Sequence, residues 1–219
     1  MDRSPADMTL DELRPVLARV LPRHAGFDGW GEKALASAAA ELGVDASVAR
    51  LVFGDDRADM IDAWFQTIDA DMLAALPAEV LAQMKVRERI MSLVEARLAL
   101  VLPHRESLRR ALAILAFPAN ARRGLQLGWR AADAMWRAAG DTATDYNHYT
   151  KRAILGSVYA ATLTVFLNDE SEDLAETRSF LGRRIEGVMR FEKAKAQITK
   201  LRPPFSPARF IGRLRYSAR

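Results

Sequence analysis

The chain has 219 residues, half of them apolar and about a quarter charged, so it can bury a core and is not globally disordered. It contains no cysteine, which excludes disulfides and thiolate metal sites and suits a reducing compartment. The net charge of +4 is unevenly divided: Met1 to Met84 carries 7 Lys/Arg against 15 Asp/Glu, the remainder 25 against 13, and no acid follows Glu192.

The longest apolar stretch, VYAATLTVFL, is too short to span a bilayer. The opening MDRSPADM has acids and no apolar run, so neither a secretory nor a mitochondrial presequence is expected. A cytoplasmic protein, most simply a bacterial one, is the expectation.

Helical periodicity dominates, with no strand pattern. Thr9 is placed to cap LDELRPVLARVL, with Asp11 and Glu12 in its first turn and Pro22 and Gly26 closing it. A second helix is predicted from Trp30 to Leu42, stopping at Gly43, and Asp45 caps a short third, ASVARLVF. RADMIDAWFQTIDADMLAAL makes a fourth, ended by Pro77. Further helices are predicted over 78–101, 104–117, 121–139, 146–168 and 173–200. Short connections between them predict an all-α bundle.

GWGEKALASAAAELGVDASVARLVF resembles the helix-turn-helix that opens TetR-type regulators. Its charge argues against DNA, because counterion release on phosphate needs clustered cations. The candidate recognition helix has Arg50 alone, and Asp55, Asp56, Asp59 and Asp62 follow it. A scaffold retained without nucleic-acid binding is the better reading.

The helix beginning TDYNHYTKRAILG is unusual at its head. Ile154, Leu155, Val158, Tyr159, Thr162, Val165 and Phe166 share one stripe, while Tyr146 and Tyr149 project to the opposite side. Those tyrosines form a protein-binding hot spot or are covered by the N-terminal helices. Asp145 caps the helix, and Asn147, His148 and Lys151 continue the stripe at its polar end. The histidines, His24, His104 and His148, are isolated from one another, so no metal site is expected. There is no serine elbow, phosphate loop or cysteine nucleophile; Asp145 with His148 is a candidate acid–base pair, but one such pair at a helix end is usually a capping arrangement, and no enzyme is the better reading.

MWRAAGDTATDYNHYTKRAILGSVYAATLTVFLND followed by FLGRRIEGVMRFEK resembles the ubiquinone-biosynthesis accessory proteins numbered nine in the Coq series. The family pattern is met at Trp136, Gly140, Asp141, Thr144, Asp145, Asn147, Tyr149, Thr150, Lys151 and Arg152. Tyr146 stands where the family usually has Phe, and His148 where it usually has Trp, so contact at that patch is expected to be weaker or retuned. The resemblance implies a TetR-like fold that holds an isoprenoid lipid, with no cofactor. Such a protein would present polyprenylated quinone intermediates to the di-iron demethoxyubiquinone hydroxylase. It implies docking through Asp145, Asn147, His148, Tyr149 and Arg152. Apolar stripes that alone read as ordinary core then become candidate lipid lining. They are Phe65 and Ile68; Leu98 and Leu102; Leu125, Trp129 and Trp136; and Tyr159, Thr162 and Phe166, with Tyr159 or Thr162 as polar anchor.

Pro203-Pro204 ends the last long helix, and FSPARFIGRLRYSAR restarts with Ser206 and Pro207 suited to a helix start. Phe210, Ile211 and Leu214 share one side, Arg209 and Arg213 another, and Phe205 adds to the apolar side. This segment lies on an anionic membrane surface or docks on a subunit, with the membrane preferred. The expected division is residues 1–55 as a three-helix subdomain, 56–200 as a helical lipid-binding bundle and 201–219 as a basic amphipathic tail. The whole predicts a non-enzymatic lipid carrier, homodimeric and peripheral to the inner membrane, without nucleic acid. The alternative is a TetR-type repressor sensing an apolar ligand.

Overall fold

The computed structural model describes the backbone of residues 4–142 and 146–201, and the side chains of 4–142 and 147–190. Within them the chain is all helical: α1 (Leu10–Asp28), α2 (Glu32–Glu41), α3 (Ala46–Phe53), α4 (Arg57–Ala75), α5 (Ala78–Ala82), α6 (Val86–Val101), α7 (Arg105–Ala116), α8 (Ala121–Ala138), α9 (Tyr146–Phe166) and α10 (Ala175–Leu201). No strand occurs among the described residues.

Helix α1 starts as predicted. The Thr9 side chain accepts from Glu12 N, and Glu12 Oε2 accepts from Thr9 N at 2.9 Å, a reciprocal capping box. It does not end at Pro22. An interior proline costs about 3 kcal/mol, and here tertiary packing offsets it. Leu17, Leu21 and Ala25 are fully buried on one face, and each buried leucine contributes roughly 1.5–3 kcal/mol. The Ser107 hydroxyl of α7 also donates to Pro22 O. Gly29, at φ 79°, finally closes the helix, and Gly43, at φ 67°, closes α2. Helix α2 begins at Glu32 rather than Trp30. Trp30 instead anchors the turn, stacking on Trp64 of α4 and donating its indole N–H to Ser107 O at 2.9 Å.

The helix predicted over 78–101 is two helices. Glu88 accepts from Lys85 N at 2.9 Å and so starts α6. Arg89 donates to Met84 O at 2.9 Å, to Ala82 O at 3.3 Å and to Ala139 O at 2.8 Å. One guanidinium thus satisfies carbonyls at the ends of both α5 and α8, a contact that no glycine or proline signals.

Helix α1 packs on α2, α3, α4 and α7, while α4 runs on through the molecule against α6, α7 and α8. Helices α8, α9 and α10 follow as neighbours, with α10 also against α6. The acids of α4 are not the repulsive surface that the sequence implied. Asp56 pairs with Arg123, Asp59 with Arg14, and Asp62 and Asp69 with Arg130. Arginines brought in from α1 and α8 neutralise them. What argues against a phosphate-binding face is α3 itself, whose one cation, Arg50, is held by Glu32 of α2.

Candidate functional site

Helix α9 and its neighbour α8 build one face of the site. The buried arc of α9 holds Leu155, Val158, Tyr159, Thr162 and Phe166, as the periodicity predicted. It is rotated to include Leu163 and Arg152, and it leaves Ile154 and Val165 half-buried. Tyr149 is 62% exposed on the opposite side, as expected. It is not alone there. Its ring lies 6.0 Å from Trp129 of α8, the His148 ring lies 5.1 Å from Tyr149, and Trp129 to His148 is 6.4 Å. Trp129, 38% exposed, therefore belongs to an aromatic surface cluster rather than to an interior lining.

Arg152 does not join that surface. It is 2% exposed, and its guanidinium bridges Asp133 of α8 and Asp141 of the connecting turn, the latter at 3.1 Å. Lys151 reaches Asp141 at 2.6 Å, and Trp136 Nε1 donates to Lys151 O at 3.0 Å. Burial alone pushes the Asp133 and Asp141 carboxyls up. Hydrogen bonds from Arg152 to both, and from Lys151 to Asp141, more than offset this and hold them below the usual carboxylate range. Arg152 thus positions the head of α9. Asn147 is exposed beside the aromatic cluster. Asp145 and the tail positions Phe205, Arg209, Phe210, Ile211, Arg213 and Leu214 lie outside the described residues.

Behind this face are two apolar cavities. One, of about 400 Å³, sits between α4, α6, α7, α8 and α9; Phe65, Ile68, Leu125 and Tyr159 of the predicted lining meet there. Leu125, 77% exposed, marks its mouth. Small residues open it. The α8 and α9 backbones come close at Gly128 and Gly156, and a Cβ placed on Gly128 would meet nothing within 4 Å. The other cavity, of about 380 Å³, lies between α6, α8, α9 and α10, with Ile90, Trp136, Val158, Ile185 and Met189 among its lining. Leu98, Leu102, Thr162 and Phe166 line neither. Thr162 cannot anchor a ligand by its hydroxyl proton, which goes to Val158 O at 2.7 Å, and Phe166 packs under the Arg105 guanidinium.

The polar feature of the larger cavity is Arg97, which sequence reasoning missed. It is 2% exposed, pairs with Asp69 of α4, and donates from Nε to the Tyr159 hydroxyl at 3.2 Å. Burial works against its charge, and Tyr159 and Asp69 more than compensate. A signal existed: Ile90, Leu93, Val94 and Val101 surround it at helical spacing, so Arg97 falls in the apolar stripe of α6.

A small three-helix head on a longer helical bundle is the architecture of the TetR-like class. The chain shares it with the TetR transcriptional regulator from Nitrosomonas europaea ATCC 19718, at a TM-score of 0.64 and 24% identity, covering 80% of this chain and 97% of that one. Likeness at that identity carries the fold alone. Residues 121–192, which include α8 and α9, match the COQ9 family model. The chain is 34% identical over 177 residues to "Ubiquinone biosynthesis protein COQ9, mitochondrial" of Rattus norvegicus, covering 78% of this chain and 56% of that one. It is 33% identical over 185 residues to the Homo sapiens protein of the same name, covering 81% and 57%. The stretch 121–192 is thus a COQ9-family segment, as the motif from Trp136 to Arg152 implied. The chain spans little more than half the length of these relatives.

Proposed function

We propose that this protein acts in ubiquinone biosynthesis as a non-enzymatic lipid-binding accessory protein. It holds a polyprenylated quinone intermediate and presents it to a di-iron hydroxylase at the inner membrane. The observation that carries this reading is the apolar cavity of about 400 Å³ opening at Leu125, on the same helix as Trp129 of the aromatic cluster. A polyprenyl chain needs such a carrier, because each CH₂ exposed to water costs about 0.8 kcal/mol. The cluster of Trp129, His148 and Tyr149 supports docking, since aromatic residues dominate interface energetics. With Trp129 beside it, His148 keeps an aromatic surface where the family usually has Trp. Dimerisation through the last two helices would compete with docking for part of this surface.

Native mass spectrometry of protein purified without detergent tests the reading. An isoprenoid lipid retained on a monomer or dimer is expected, and protein found free of lipid after expression in a quinone-producing host counts against it. No described helix is long and apolar enough to cross a membrane. The basic residues 203–219 are the membrane contact in this proposal. Removing them is expected to abolish flotation with anionic vesicles while leaving the helical signal of the bundle intact; undiminished flotation would reject that role.

A further inference from the structure

We propose that Arg97 and Tyr159 are the head-group anchor of the larger cavity, and that they select a neutral ring bearing an acceptor oxygen, such as a quinone carbonyl, over a bare isoprenoid tail or an acidic lipid. This rests on the lipid-binding reading above and specifies what the site recognises. Both residues line the cavity, and nearly everything else around them is apolar or small: Phe65, Ile68, Leu112, Leu163, Gly128 and Ala131.

The argument is one of donors and charge. Arg97 gives Nε to Tyr159 and Nη1 to Asp69, and among the described residues its Nη2 makes no hydrogen bond. Tyr159 uses its oxygen to accept from Arg97, so its own O–H proton remains to be donated. Two donors without acceptors therefore border an apolar space. A ligand oxygen that accepts from them satisfies groups whose isolation in such surroundings is costly.

Charge then decides the class of oxygen. Arg97 pairs with Asp69, Asp69 also with Arg130, and Arg130 with Asp62. Two cations and two anions already balance. A carboxylate or phosphate would add an uncompensated negative charge inside the protein, whereas a carbonyl or ring ether oxygen adds none. Size agrees. A volume of about 400 Å³ is near the lower end of ligand pockets, roughly 300–1,000 Å³, enough for a substituted ring and the start of a tail. A longer polyprenyl tail leaves past Leu125.

The test is competition on the full chain, read by native mass spectrometry. The probes are a benzoquinone carrying two isoprene units, the matching prenylbenzene without ring oxygens, and the matching prenylated benzoate. Wild type is expected to hold the quinone about tenfold over either competitor. Tyr159→Phe and Arg97→Gln are expected to bring the quinone-to-prenylbenzene ratio near one while both lipids still bind. Should Arg97→Gln fail to fold, Tyr159→Phe decides, since it removes a single oxygen atom. A wild-type ratio near one, a preference for the benzoate, or a ratio unchanged in Tyr159→Phe overturns the anchor and leaves lipid binding standing. Failure of all three probes to bind overturns the lipid-binding reading itself, and the anchor with it.

Discussion

Asp169, in the turn after α9, fixes the start of α10 with its carboxylate. It accepts from Ser171 N at 2.9 Å and from Thr177 N at 2.8 Å, and from both their hydroxyls. Burial alone pushes this carboxyl up, but the four hydrogen bonds win and hold it far below the usual range. A folded pKa below the unfolded value of about 3.9 means the contribution is present above that value and is lost as pH falls through the folded one. Asp169→Asn is expected to lower the unfolding free energy by about 2 kcal/mol at neutral pH and to shrink the difference from wild type in acid. Urea denaturation at several pH values measures this, and a loss that stays the same at every pH would contradict it. The chain break at Asn168-Asp169 was legible as a break. That Asp169 itself makes the junction was not, because its partners lie on the far side of a turn.

At the scale of the element, α9 shows what periodicity reads well and what it reads poorly. Spacing placed Tyr149 outward and Leu155, Tyr159 and Phe166 inward, since a helix repeats its faces whatever surrounds it. It could not place Arg152, a docking residue by motif and a buried clamp by structure, because only Asp133 and Asp141 make its burial tolerable. Nor could it join Trp129 of α8 to Tyr149. Both side chains are exposed enough that replacing them should spare the core. Tyr149→Ala is expected to leave the thermal midpoint within about 2 °C, because surface changes of this kind fall within roughly 0.5 kcal/mol. The same change should weaken capture of the purified hydroxylase by about 2 kcal/mol, or roughly thirtyfold. Surface plasmon resonance on both proteins decides; unchanged affinity removes the cluster from the interface.

The whole molecule supplies the cavity, and Gly128 gives a way to close it. Because a Cβ there would enter open space, Gly128→Leu should fill the cavity without overpacking its walls. Replacing an interior helix glycine also favours the helix by about 1 kcal/mol. The variant is expected to keep or raise its melting temperature while losing bound isoprenoid in native mass spectra. Full retention of lipid would show that the ligand lies elsewhere, with the space beneath α10 the next place to look.

The sequence by itself determined the helices and most of their ends, because caps such as Thr9 and stops such as Gly43 act within a turn of chain. It also determined the family of residues 121–192, because the motif around Gly140 and Arg152 is long. Tertiary structure alone decided that α1 runs through Pro22, that 78–101 divides at residues 83–85, where Arg89 reaches back to the carbonyls, and that the acids of α4 are neutralised by α1 and α8. It also turned candidate core stripes into a lined space with one buried cation. Each of these depends on side chains tens of residues apart meeting, and the energies of such meetings exceed the local preferences that a linear reading can weigh.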